Sequence, residues 1–442
     1  MSSTQGQAPQ RPRVLLIAEA ANPEWVSVPL VGWSHARALF DHADVHLVTQ
    51  VRNQEAIEKT GFQLGREFSV IDTEGLAKPV WKVSDTVRRL TGIGFTFDTA
   101  LASLAYPWFE HQLWQRFGAA IARGDYDVVH RLTPLSPTTP SIIAKRCADV
   151  GVPFVWGPIN GGVPWPAAFR AVQHKEREWL HAVRGAHRLL PGYESTRRYA
   201  AATVVGSLAT WEQLPRYARA KAVYLPENAI DPARFPGSVT GPVRTPLRVA
   251  FVGRLVPYKG ADMLIEAVAD LVKAGKLVLD IIGDGPEKPF LQAMVERLGL
   301  GAGVRLDGWV PHHEMAERLK QSDVFGFPSV REFGGGVVLE AMALGLVPVV
   351  ADYAGPAELV SDDTGYKIPL APRDELIARF RARFEDLVAH PEGLRAMGER
   401  GRARVLELFT WDAKARQMLE VYRWVMGARG KPDFGRPLAR LA

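Results

Sequence analysis

Residues 324–350 read VFGFPSVREFGGGVVLEAMALGLVPVV. Two apolar runs, Val324 to Phe327 and Leu346 to Val350, bracket a helical AMALG and three consecutive glycines, Gly334, Gly335 and Gly336. An apolar run, a glycine loop, a helix and a second apolar run spell a βαβ unit with buried parallel strands. A helix that starts at a glycine run presents free backbone N–H groups, and such an end binds anions. Glu332 falls on the loop, at the carboxyl end of the first strand. Glu340 falls about a turn into the helix, on the side facing the loop. Ligands of open parallel sheets bind at those carboxyl ends. The segment therefore offers an anion cradle between two carboxylates, with phosphate on one side and hydroxyl-rich groups such as sugars on the other.

The same alternation extends outward along the chain. In the second half, strands are expected at Leu247 to Val252, Leu277 to Ile282 and Val304 to Leu306, with a helix from about Ala261. In the first half they are expected at Val14 to Ile17, Val45 to Val48, Asp127 to His130, Pro153 to Trp156 and Ala202 to Val205, with a helix near Ser34 to Phe40. Strands alternating with helices predict βαβ units and parallel sheets. The Pro-, Gly-, Ser- and Thr-rich stretch 236–246 separates the halves. Three units are expected: an amino-terminal domain over 1–240, a carboxyl-terminal domain over 241–410, and residues 411–442. The irregular, aromatic region from about 60 to 110 is the expected acceptor-facing insertion, because variable loops carry specificity.

Composition narrows the class. A chain of 442 residues with 47% hydrophobic content has room for two cores. The single cysteine, Cys147, rules out an internal disulfide framework and any cysteine-rich metal site. The amino-terminal MSSTQGQAPQRPR has no apolar core of a secretion signal, and no run of about 18 apolar residues occurs, so the cytoplasm is the expected location. The net charge is +6, and much of the excess lies between 165 and 198, where arginines and lysines alternate with Trp165, Phe169, Trp179 and Leu180. That stretch fits peripheral contact with an anionic membrane or a lipid-phosphate acceptor. It fits equally an amphipathic helix with a solvated basic face. No nucleic-acid-binding motif accompanies the charge.

Residues 251–260, FVGRLVPYKG, form the second informative stretch. A strand ends at Gly253, where the missing side chain permits close backbone approach. Arg254 and Lys259 follow before the next helix, suited to converge on a diphosphate, the one as a planar fork and the other as a point charge. Asp125-Tyr126-Asp127 forms a D-x-D string, but it precedes a strand and reads as a turn.

The pair Glu332 and Glu340, the intervening F-G, the downstream A-x-G-x-P-V-V and the Arg254/Lys259 loop together resemble the E-x7-E region of family 4 retaining glycosyltransferases of the GT-B fold. The likeness is strong over about 247–370 and looser before. It implies two Rossmann-like doubly wound parallel-sheet domains facing a central cleft, with 411–442 crossing back onto the first. It implies transfer of a sugar from a nucleoside-diphosphate donor, with UDP or GDP as the expected nucleotides and no cofactor or metal. Arg254 and Lys259 would stabilise the leaving diphosphate, Glu332 would orient the donor sugar, and His130 would support the sugar or the reaction centre. Glu340 would hold the ribose. The amides of Phe333, Gly334 and Gly335 would meet the sugar and phosphate, with Gly253 beside them. Trp309 and Val310 would meet the base.

On the amino-terminal side the family's glycine pair is reduced to Gly32, whose amide would approach the phosphate with Ser34 capping a helix. Trp33 would narrow the acceptor cleft, and Asn160 and Gly161 would line it. Pro226-Glu227-Asn228 resembles the family's P-N-G segment lining the interdomain region, with Ala229 in place of the glycine. Sugar, lipid-linked or small-molecule acceptors, in bacterial polysaccharide, glycolipid or other glycoconjugate synthesis, follow from the resemblance. Two alternatives stand beside this reading: another enzyme of the fold, such as an epimerase or sucrose-type synthase, and a non-catalytic sugar-nucleotide-binding scaffold.

Overall fold

The computed structural model describes residues 11–73, 95–170, 188, 190–311 and 313–435, with side chains from 106 onward in the second stretch. Most of the basic 165–198 stretch (171–187 and 189) lies outside the described residues, as do residues 74–94 of the aromatic 60–110 region.

Two sheets carry the fold. The first has seven strands in the order β3-β2-β1-β4-β5-β6-β7. These are β1 Arg13–Ala18, β2 Asp44–Gln50, β3 Phe68–Ile71, β4 Val128–Thr133, β5 Phe154–Ile159, β6 Ala202–Val205 and β7 Ala222–Tyr224. The second has six in the order β10-β9-β8-β11-β12-β13, from β8 Leu247–Val252, β9 Leu277–Ile282, β10 Val304–Gly308, β11 Val324–Phe327, β12 Val347–Ala351 and β13 Tyr366–Ile368. The strands pair in parallel throughout both sheets. Their near-continuous Val, Leu, Ile and Phe content suits burial on both faces, and β11 and β12 are fully buried. The expected doubly wound architecture is therefore present in both halves.

Strand order reverses between β1 and β4 and again between β8 and β11. Those two switch points leave crevices at the carboxyl ends of the strands. Arg254 and Lys259 follow β8, and the loop holding Glu332 follows β11, so both loops border the second switch point. Helix Trp411–Val425 packs on helix Val28–Leu39 of the first half, burying Met418, Val421 and Tyr422 in that half's core. Chain crossings between the halves meet at one bridge: Ile230 N–H donates to Phe409 O (2.8 Å) and Trp411 N–H to Ile230 O (3.3 Å).

Candidate functional site

The cradle forms where the glycines predict it. Gly335 adopts φ 68°, the left-handed region that glycine reaches freely, and caps helix Gly336–Ala343. Gly334 is required for a different reason. A Cβ there would overlap the Asn228 amide and the Glu227 carboxylate. A Cβ at Gly355 would likewise strike the Phe333 carbonyl. The cradle is thus built by close packing of three segments: the glycine run, residues 227–228, and the turn after β12.

Lys259 and Glu332 meet across the switch point. The Lys259 ammonium donates to the Glu332 carboxylate, and both side chains are mostly buried. The contact exists because Gly260 (φ 75°) turns the chain after the short Pro257–Lys259 helix, and because Val330 N–H donates to Tyr258 O at 2.9 Å, tying one loop to the other. Lys259 also lies 5.2 Å from the centre of the Phe327 ring. Arg254 is exposed on the same loop. Glu340 is half-buried, the fifth residue of its helix, at the margin of a face formed by buried Val338, Leu339, Ala341 and Met342. The Arg331 guanidinium lies between two rings, 4.9 Å from the centre of Trp165 and 5.5 Å from that of Phe333.

Trp309 is exposed (73%) just past β10, with Val310 half-buried beside it. Gly253 is half-buried where β8 ends; its N–H donates to Ile282 O at 3.0 Å, and a Cβ at Gly283 would overlap its carbonyl.

Three expectations for the amino-terminal half are corrected. His130 does not end its strand: β4 continues to Thr133, and His130 is the third of six residues, with no exposed surface. Its Nε2–H donates to Gly157 O (2.5 Å), and its Nδ1 accepts from the Tyr422 hydroxyl (2.7 Å). Burial lowers its pKa to about 4, with the Gly157 carbonyl pulling the other way, so the ring is neutral and pins the last helix to the first sheet. Gly32 is no phosphate loop. The helix starts at Val28, six residues before the expected Ser34 cap. At the fifth helical position the Gly32 amide belongs to the helix's own ladder. A Cβ there would overlap Ala20 O, so this glycine serves close packing. Trp33 does not line the cleft; it is buried edge-on to Phe62 with ring centres 5.2 Å apart.

Asn160 and Gly161 lie in a polar seam between the halves. Asn160 Nδ2 donates to Glu227 Oε1 (2.8 Å), and its Oδ1 accepts from Ser207 Oγ (2.8 Å); Gly161 N–H donates to Thr210 Oγ1 (3.2 Å). Glu358 crosses the same seam. Its two oxygens accept from Leu208 N–H (3.1 and 3.0 Å), and Oε2 also accepts from the Tyr224 hydroxyl (2.9 Å). Burial pushes the Glu358 carboxyl up to about 7 against those hydrogen bonds, with Glu227 and Glu212 adding repulsion. Lys414, 2% exposed, lies 4.6 Å from the centre of the Phe409 ring; burial lowers its pKa to about 7, while nearby Glu227 raises it. Sequence reasoning missed Lys414. One signal was present: with Met418, Val421 and Tyr422 it occupies the apolar stripe of its helix, where a lysine is out of place.

Asp127 accepts from the Arg13 backbone and guanidinium, which fixes the D-x-D string as a strand-entry turn. Among the described residues no cluster of three or more His, Cys, Asp or Glu is placed to hold a metal ion, and no helix is long and apolar enough to cross a membrane.

Two such sheets facing one cleft define the GT-B fold. Sucrose-phosphate synthase from Thermosynechococcus elongatus superposes with TM-score 0.61 at 18% identity, covering 95% of this chain and 100% of that one. HepE from Anabaena, solved with UDP and glucose, superposes with TM-score 0.55 at 16% identity, covering 93% and 99%. Residues 239–404 match the family model for glycosyl transferases group 1. The D-inositol 3-phosphate glycosyltransferase of Segniliparus rotundus is 34% identical over 180 residues, 40% of this chain and 39% of that protein. The match thus spans about two fifths of that relative's length and falls short of half of each chain. The matched stretch holds the glycine run, Lys259 and Glu332, and is similar to a group 1 glycosyl transferase domain.

Proposed function

We propose that this chain is a retaining glycosyltransferase that moves a sugar from a nucleoside-diphosphate sugar to an acceptor hydroxyl. One observation carries the reading: Lys259 and Glu332, from two loops at the switch point of the second sheet, meet beside a glycine-capped helix N-terminus. A diphosphate entering there would find Lys259, Arg254 and the free amides of the cradle. Those groups offset charge that grows on the leaving diphosphate as the glycosidic bond breaks, the interaction that most lowers such a barrier. Lys259 would then exchange Glu332 for phosphate oxygens. Glu332 would be released to accept hydrogen bonds from sugar hydroxyls, and Glu340 would accept from the ribose. Transfer would proceed on the front face of the sugar, the leaving phosphate taking the acceptor's proton.

Residues 241–410 would bind the donor and 1–240 the acceptor, with 411–442 crossing back to the first. UDP or GDP fits the donor reading, and the neighbour solved with UDP and glucose supports the first. Acceptors of glycoconjugate synthesis, sugar, lipid-linked or small, would be held by the amino-terminal half, with the protein in the cytoplasm or at the inner face of the membrane.

Calorimetric titration with UDP and GDP, followed by turnover of UDP-glucose and GDP-mannose, tests the reading. Each of Arg254→Ala and Lys259→Ala should weaken nucleoside-diphosphate binding by about tenfold or more, the worth of a charge-assisted contact. Glu332→Gln should abolish transfer and leave nucleotide affinity nearly intact. Wild-type affinity in Lys259→Ala would refute the diphosphate site, and inversion at the anomeric carbon of the product would refute the mechanism.

A further inference from the structure

A buried carboxylate stands between the donor cradle and the opposite domain. Glu227 is 6% exposed. Its Oε1 accepts from Asn160 Nδ2 at 2.8 Å and from Asn228 Nδ2 at 3.3 Å. Its Oε2 is buried and meets no donor among the described residues. Two glycines from opposite halves clasp it: a Cβ at Gly206, just past β6, would overlap Oε2, and a Cβ at Gly334 of the cradle would overlap Oε1. Leaving one acceptor of a buried carboxylate unmet costs free energy that an apolar residue would not. Its burial pushes the carboxyl upward; Asn160 and Lys414 act against that push, and Glu332 adds to it. Lys414 on the returning helix is the cation that faces it, and Glu332 and Glu358 are the acids that do.

We propose that Glu227 is the positioning residue of the donor cradle, a spacer that seats Gly334 against the amino-terminal domain through Asn160. The proposal rests on the donor-site reading above and deepens it. The cradle's glycine run carries no side chain of its own, so its place relative to the acceptor domain must come from what it leans on. Glu227 is that support: the linker leaving the first sheet carries it, and both halves touch it. Its effect is therefore on the geometry of transfer more than on capture of the nucleotide, whose expected side-chain contacts are Arg254 and Lys259 at the diphosphate, Glu340 at the ribose, and Trp309 and Val310 at the base.

The test measures UDP or GDP affinity by calorimetry alongside kcat and KM for the nucleotide sugar that the wild type turns over. Glu227→Gln keeps the shape and the Asn160 bond and should hold kcat within about threefold. Glu227→Ala and the shorter Glu227→Asp should lower kcat about tenfold or more, in line with the sensitivity of transfer to sub-ångström placement, while nucleotide affinity stays within about threefold. Gly206→Ala, outside the donor domain, should mimic the loss by displacing the carboxylate. Combined with Glu227→Ala it should cost clearly less than the sum of the two losses, because the carboxylate it strikes is gone and only the milder approach to Asn160 Cβ, 3.1 Å, remains.

Equal kcat in the Gln, Asp and Ala variants, or additive losses in the double variant, would overturn the assignment. If Glu227→Ala fails to fold, the contrast between Gln and Asp decides. A wild-type protein that binds neither nucleotide and turns over neither sugar would instead sink the donor-site reading, and this inference with it.

Discussion

Single side chains at the seam set how the molecule responds to pH. Glu358 is held with its carboxyl near 7, far above an ordinary glutamate, chiefly by burial. A carboxyl whose folded pKa exceeds its unfolded one binds more protons when folded, so its contribution to stability is complete below the unfolded value and is lost as pH rises toward 7. The window between the ordinary 4.5 and about 7 corresponds to on the order of 3 kcal/mol. Glu358→Gln keeps the acceptor for Leu208 and Tyr224 without the titration. Its melting temperature, measured from pH 4.5 to 8, should fall less across that range than the wild type's, and parallel curves would contradict the assigned environment. Glu332 and Lys259 stood out in the sequence as site candidates, because acids and bases at strand ends beside glycines are unusual; that they pair with each other did not, because a sequence does not record which loops meet.

Among the elements, helix Val28–Leu39 shows where local reading stops. Its start at Val28 follows Pro29 in the first turn, where proline's missing N–H costs nothing. The sequence reading, drawn to Gly32 as a loop glycine, began the helix at Ser34. The structure puts Gly32 inside the helix because the helix axis passes against Ala20 O and Thr133. Glycine in an exposed helix interior costs about 1 kcal/mol relative to alanine. Here the sign should reverse: Gly32→Ala should destabilise by about 1–3 kcal/mol through overpacking, read as a shift in urea midpoint. A stabilised variant would show that the close approach yields freely. The short strands β3, β7 and β13 escaped notice for a related reason. Polar Ser69 and Lys367 interrupt β3 and β13, and β7 is only three residues long, so none stood out as an apolar run, and neighbours in the sheet hold them in place.

At the scale of the whole molecule, the last helix binds the two halves into one unit. Tyr422 donates to buried His130, which in turn donates to Gly157, so a residue near the end of the chain fixes the centre of the first sheet. Tyr422→Phe would leave His130 Nδ1 buried without a donor, a loss of about 1–3 kcal/mol. The expected result is a lower melting temperature with nucleoside-diphosphate affinity unchanged; weakened affinity would mean that His130 does bear on the donor. Trp165 and Phe169, which follow β5 in the first half, are buried in the second half's core, and Tyr353 donates to Pro164 O at 2.6 Å. Contacts of this kind set the opening between the domains.

The two-sheet architecture and the glycine cradle were legible from the chain alone. Buried parallel strands favour near-continuous apolar runs, and the left-handed region favours glycine, so both leave marks in the order of residues. The position of His130, the packing roles of Gly32 and Trp33, and the seam of Asn160, Glu227, Glu358 and Lys414 were decided only by tertiary structure. Those roles depend on which surfaces come together from separate segments, from Trp33 against Phe62 to Tyr422 against His130, and burial by another segment alters a side chain's charge and partners without changing a letter near it.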